Sequence, residues 1–189
     1  MDQGSKIEEG DPDKVINTYN FFLAKKNKGE EIHISDNTDA EKSYGNLKVE
    51  IVDAKMLNNN DQDSEVFVSG EKCTVEIALR ANETVDDITV GILIRDRFGQ
   101  DVFGTNTFHL KIPINLESNQ RCVVKYVMDE FNIGSGKYTL SPAVHRNDTH
   151  VDECYQWVDV IKTFEVIEGN DFRFIGFSRL KPQVQLEIH

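Results

Sequence analysis

Between His145 and Trp157 the chain gathers the side chains that could do chemistry. His145, Asp148, His150 and Asp152 stand close together, and Tyr155 and the only tryptophan, Trp157, follow them. Three chemistries fit these residue types. Two histidines and an aspartate are metal ligands, but here they fall on a hairpin tip with nothing to orient the imidazoles, so a metal site is not expected. Asp148 and Asp152 resemble the acid and base of a glycosidase. On an exposed loop both would keep ordinary carboxylate pKa values, and neither would hold a proton at neutral pH. The third chemistry is stacking of a sugar's apolar C–H face on an indole, with polar neighbours for its hydroxyls. It needs only a ring that stands outside the core.

The flanking strands decide where that ring stands. From Gly136 the sequence alternates: Tyr138, Leu140, Pro142 and Val144 share one parity, and Thr139, Ser141, Ala143 and His145 share the other. The first set faces a core and the second faces outward. On the return strand, counting back by twos from Phe164 puts Val160 and Val158 inside and leaves Tyr155 and Trp157 outside, provided no bulge shifts the count.

Composition narrows the partners. The 21 basic and 33 acidic residues give a net charge of -12, which opposes binding to a polyanionic backbone; nucleic acid is not an expected partner. Of the 3 cysteines, Cys73 is in phase with Val75, Ile77 and Leu79, and Cys122 with Val124, Tyr126 and Met128, so both read as small buried hydrophobes. No pair has zinc-ligand spacing. The sequence has neither an apolar signal core nor a run near the ~20 apolar residues of a membrane span. A reducing, cytoplasmic setting is the expectation. No GxxxxGK[ST] occurs, since Gly70 to Thr74 lacks the spaced glycines that cradle phosphate.

Along the chain, Asp11 as N-cap and Pro12 at the first helical position open a helix with Val15, Ile16, Tyr19, Phe22 and Leu23 on one stripe, ending near Lys26 before Gly29. The segment from Ser35 to Ser43 is polar and reads as a linker. After it, alternating runs separated by NNNDQD, RFGQ, LESNQ and GSG predict strand after strand with no interleaved helices. The expected fold is therefore all-β: an immunoglobulin-like antiparallel β-sandwich with a short N-terminal helix and an extra C-terminal strand. Tyr138, just after Gly136 and opening a late strand, has the placement of a tyrosine corner. In the tail, Val184, Leu186 and Ile188 alternate after Pro182, which predicts one more strand. Such a strand either caps its own sheet or joins the edge of a second copy's, and a homodimer is expected.

Two segments carry a family resemblance. GDPDKVINTYNFFLAKK resembles the end of the ATPase half of polysaccharide-exporting ABC transporters. GILIRDRFGQDVFGTNT, with GKYTLSPAV after it, is similar to the carbohydrate-binding C-terminal domain of Wzt-type ATP-binding subunits of O-antigen transporters. The resemblance implies a domain order of residues 1–43 as a linker with a helix following an ATPase domain, 44–169 as the sandwich and 170–189 as the tail strand. It further implies a non-catalytic module without cofactor or metal that recognises O-polysaccharide at the inner face of the bacterial inner membrane. The transporter's membrane subunit would be reached through the ATPase domain.

If strands 88–95, 137–145 and 153–166 lie side by side, their outer faces merge. Gly91, Ser141 and Ala143 would form a trough between the rings of Trp157 and Tyr155, with Arg95 and His145 as polar ends, Thr89 and Thr139 beside them, and Asp148 on the rim. The alternative is an immunoglobulin-like protein-interaction or dimerisation module in which Trp157 anchors a protein partner. No nucleophile, base and orienter can be named together, so catalysis is not expected.

Overall fold

The computed structural model describes residue 9 and residues 33–36, 42–148 and 153–188. The predicted helix from Asp11 to Lys26 lies outside the described residues, as do His150 and Asp152. Within them the elements are strands: β1 (His33–Asp36), β2 (Lys42–Gly45), β3 (Val49–Leu57), β4 (Val66–Val68), β5 (Cys73–Ala81), β6 (Ile88–Asp96), β7 (Asp101–Asn106), β8 (Arg121–Met128), β9 (Gly136–Arg146), β10 (Cys154–Asp159) and β11 (Lys162–Ile167). The segment expected as a linker thus contains half of the residues of the paired strands β1 and β2, whose register runs from His33↔Gly45 to Asp36↔Lys42.

Two sheets face each other. The smaller is β3-β5-β8, antiparallel throughout, with a register shift between Ile51 and Asp53. The larger is built on β9. Along one edge β9 pairs with β6 from Tyr138↔Asp96 to Arg146↔Ile88, and β6 continues to β7. Its other edge is shared: β11 takes Gly136 to Leu140, and β10 takes Ala143 to His145. Beyond β10 lie β2 and β1; beyond β11 lies the short parallel strand β4.

The alternating residues meet between the sheets. Val75, Ile77 and Leu79 of β5 pack in one core with Val90, Ile92 and Ile94 of β6 and with Tyr138, Leu140 and Val144 of β9. Cys73 is buried there, Cys122 packs against it half-buried, and all three cysteines are free. Tyr138 makes the expected corner, its hydroxyl donating to the Gly134 carbonyl at 2.7 Å. Its ring stacks on Phe164, with centroids 5.7 Å apart.

The tail differs from expectation. Residues 168–188 form no regular strand. Their first half is fastened to the sandwich instead: Ile133 bridges Ser178, and the buried Arg179 donates to Asn132 Oδ1 at 3.1 Å and pairs with Asp171. Gly70, at φ 89°, passes directly under that guanidinium, where a Cβ would come within 2.6 Å of its central carbon. Past Arg179, Lys181 pairs with Glu130, and beyond it Val184, Leu186 and Ile188 are 91%, 81% and 86% exposed. Their alternation has no second strand to answer it within the described chain, and strand geometry needs one.

Replacing Tyr138 by Phe removes one buried hydrogen bond and leaves the Gly134 carbonyl to find another donor. Urea unfolding should show a loss of about 1–2 kcal/mol with an unchanged m-value. An unchanged midpoint would show that the corner hydroxyl contributes nothing.

Candidate functional site

Residues directly opposed across an antiparallel pair project to the same side of the sheet. On the outer side of the larger sheet this aligns one residue from each of five strands: Tyr44, Trp157, Ala143, Gly91 and Asn106. The row descends from two large rings to a methyl group and then to bare backbone. A Cβ built on Gly91 would meet the Cβ of Asn106 at 3.6 Å, an ordinary contact, so sterics do not demand the glycine and it leaves the floor low. Trp157 is half-buried and absent from the core. Its indole lies nearly parallel to the Tyr44 ring, 13° between planes and 6.4 Å between centroids. That spacing belongs to an aromatic pair in contact, so a sugar ring would meet the pair from outside it and would not enter between the rings.

Tyr155 does not stand beside them. It is 1% exposed and belongs to the core. The register of β10 on β9 slips between Cys154 and Gln156, and this bulge puts two consecutive residues, Tyr155 and Gln156, on the inner side. Gln156 uses the position to accept from the Ile51 N–H of the opposite sheet at 2.6 Å. Burial pushes the Tyr155 hydroxyl above its ordinary pKa and the Cys154 thiol up to about 12, so neither ionises near neutral pH. Parity counting assigns Trp157 correctly and fails two residues earlier, at the bulge.

The polar part of the face is also arranged differently from the expectation. Arg95 does not end in free solvent: its side chain is only 16% exposed, with Nε 2.9 Å from Asp101 Oδ1 and Nη1 3.5 Å from Asp159 Oδ1. Asp159 follows Trp157 by two residues and so shares its side of β10. Thr139 is half-buried beside Arg95 in the register. Thr89, Ser141 and His145 are buried, which removes His145 as an open polar end. The Ser141 hydroxyl accepts from the Val160 N–H at 3.1 Å, so it fastens the β10–β11 junction. Asp148 is exposed on the loop after β9 and bonds His109 Nε2 at 2.7 Å, which ties that loop to the one after β7.

The surface these facts leave open is smaller than the predicted one. It consists of Trp157 and Tyr44, the Arg95–Asp101–Asp159 cluster, and Thr139 beside Arg95. Of these, sequence reasoning missed Tyr44, Asp101 and Asp159. Asp159 was legible by counting two from Trp157. Tyr44 was not, since nothing in the linker announces that it pairs with β10. Among the described residues no group of three His, Cys, Asp or Glu side chains could hold a metal ion.

The Wzt C-terminal domain model matches residues 40–180. The crystal structure of the C-terminal domain of Wzt superposes with a TM-score of 0.68 at 18% identity, covering 79% of this chain and 90% of that one. An alkylpurine DNA glycosylase from Pseudomonas fluorescens bound to DNA aligns at TM-score 0.42 and 12% identity, over 64% of this chain and 30% of its own. A β-glucosidase from Erythrobacter marinus aligns at 0.40 and 9%, over 63% and 15%. Likenesses that loose carry no argument. No curated protein matches the sequence. The family match runs from the linker strand through both sheets to the Arg179 anchor, and this chain belongs to the Wzt C-terminal domain family of O-antigen ABC transporters.

Proposed function

We propose that this domain is a non-catalytic recognition module that binds O-polysaccharide on the outer face of its larger sheet before export. The observation that carries the reading is the Trp157–Tyr44 pair: two near-parallel rings outside the core, beside an ion-paired cluster whose carboxylates can accept from sugar hydroxyls. An aromatic surface with adjacent acceptors is what a pyranose offers partners for, since one face of it is C–H and its edge is hydroxyl. The module would work at the cytoplasmic face of the inner membrane, joined to the membrane subunit through an ATPase domain. A second copy would supply the tail with its missing strand neighbour, because Val184, Leu186 and Ile188 are exposed in alternation. The two sites of such a dimer would act together on one repeating polymer, which raises avidity without a tighter single site.

Isothermal titration of the chain with purified cognate O-polysaccharide, and with a foreign one, tests the reading. Binding of the cognate polymer and a five- to tenfold loss in Trp157→Ala, on the order of 1–1.5 kcal/mol, is expected. Equal binding by both forms would move the site elsewhere. Absence of binding to any polysaccharide, with retention of the dimer, would favour the alternative of a protein-interaction module. For the dimer, a chain ending at Lys181 keeps the Arg179 anchor and the Lys181–Glu130 pair and loses the exposed residues after them. It should elute as a monomer in gel filtration; an unchanged dimer would dismiss the segment from the interface.

A further inference from the structure

Half of the aromatic pair comes from the segment that precedes the sandwich. Tyr44 sits in β2, whose hold on the larger sheet is short: three register partners, Tyr44↔Trp157, Ser43↔Val158 and Lys42↔Asp159. Among the described residues the strand on its other side is β1, and a two-stranded hairpin by itself is marginal in water. Its attachment to the larger sheet runs through β10 and includes the contact of the two rings. The chain after β2 is held more firmly. Asn46 N–H donates to the Cys154 carbonyl at 3.2 Å and Leu47 N–H to that of Tyr155 at 2.9 Å, while Lys48 Nζ lies 2.9 Å from Glu153 Oε1. At Gly45, φ 152°, the backbone runs so close to β10 that a Cβ would fall 2.1 Å from the Tyr155 carbonyl oxygen. Gly45, next to Tyr44, is thus where the firmly held chain gives way to the short pairing of β2.

We infer that Tyr44 is a specificity-determining residue of the glycan surface and that bound polysaccharide holds the linker strand β2 on β10, so that occupancy of the site is transmitted to the chain upstream. This rests on the proposed reading of the Trp157 face. A ligand that stacks on both rings binds the docked state of β2 better than the undocked one, and only such a difference shifts the balance. By reciprocity, a linker held on the sheet from the upstream side raises affinity for the polymer by the same factor. Asp159, opposite Lys42 in the register and ion-paired to Arg95, lies where the polar cluster and the linker strand meet.

Amide hydrogen exchange of the full chain, with and without saturating cognate O-polysaccharide freed of lipid A, reads the coupling directly. Amides of β2, residues 42–45, should exchange at least about fivefold more slowly when polymer is bound, with those of Asn46 and Leu47 unchanged. Tyr44→Ala should weaken binding about five- to tenfold and abolish that slowing, while Tyr44→Phe, which keeps the ring, should behave as the unmodified chain. Circular dichroism and the thermal midpoint establish that each variant is folded, and the Phe variant carries the test if the Ala variant is not. Binding that depends on Trp157, with linker exchange unchanged and Tyr44→Ala binding normally, would overturn the coupling and leave the reading of the face intact. If no polysaccharide binds at all, the reading and the coupling fall together.

Discussion

A β-strand has two edges, and β9 must serve three neighbours with them. One edge is given whole to β6; the other is divided, with β11 on the first half and β10 on the second. The division is possible because the chain breaks between β10 and β11 at Val160, which takes a positive φ of 57° that a β-branched residue rarely adopts. The cost of that conformation is offset locally. The Val160 N–H is satisfied by the Ser141 hydroxyl, and the following Ile161 N–H by the Leu140 carbonyl, both from β9 itself. The two halves of that edge follow from this junction, since it fixes where β10 ends and β11 takes over the pairing with β9.

The bulge in β10 has a comparable role on the inner side. An unbulged strand would have put Tyr155 and Trp157 on one face and left Gln156 alone on the other. With the extra residue, Tyr155 fills the core and Gln156 joins the two sheets through Ile51, while Trp157 keeps its outward position beside Ala143. One irregularity thus supplies a large core ring, an inter-sheet hydrogen bond and a half-buried outward aromatic from three consecutive residues. Burial also disfavours the ionised forms of the neighbouring Cys154 thiol and Tyr155 phenol.

Much of this was legible in sequence for a physical reason. Period-two alternation is imposed by the pleat, so β5, β6, β8 and β9 could be read from their apolar residues, and the corner tyrosine from its place at the start of β9. What was not legible depends on pairing between distant segments. That Tyr44 stacks on Trp157 requires knowing that β2 adds to β10, and a four-residue polar strand gives no apolar signal. That Arg95 is engaged by two carboxylates requires knowing that Asp159 reaches it from β10, past β9. The tail failed differently: Val184, Leu186 and Ile188 have the pattern of a strand, but pattern supplies only half of what a strand needs, and the partner is not within the described chain.

The ion-paired state of Arg95 bears on which sugars suit the proposed face. A guanidinium shared by Asp101 and Asp159 has its charge more than balanced, and the two carboxylates leave the cluster net negative. A terminal phosphate or carboxylate on a glycan would have to displace one of these partners and enter a negative field, whereas a hydroxyl can donate to a free carboxylate lone pair without disturbing the pairs. The excess of acidic residues over the whole chain, with its net charge of -12, acts in the same direction at longer range. If the face binds glycan as proposed, it would suit neutral, hydroxyl-rich residues, with stacking supplying the attraction that charge does not. Its affinity should in consequence be nearly independent of salt, because neither attraction depends on counterion release.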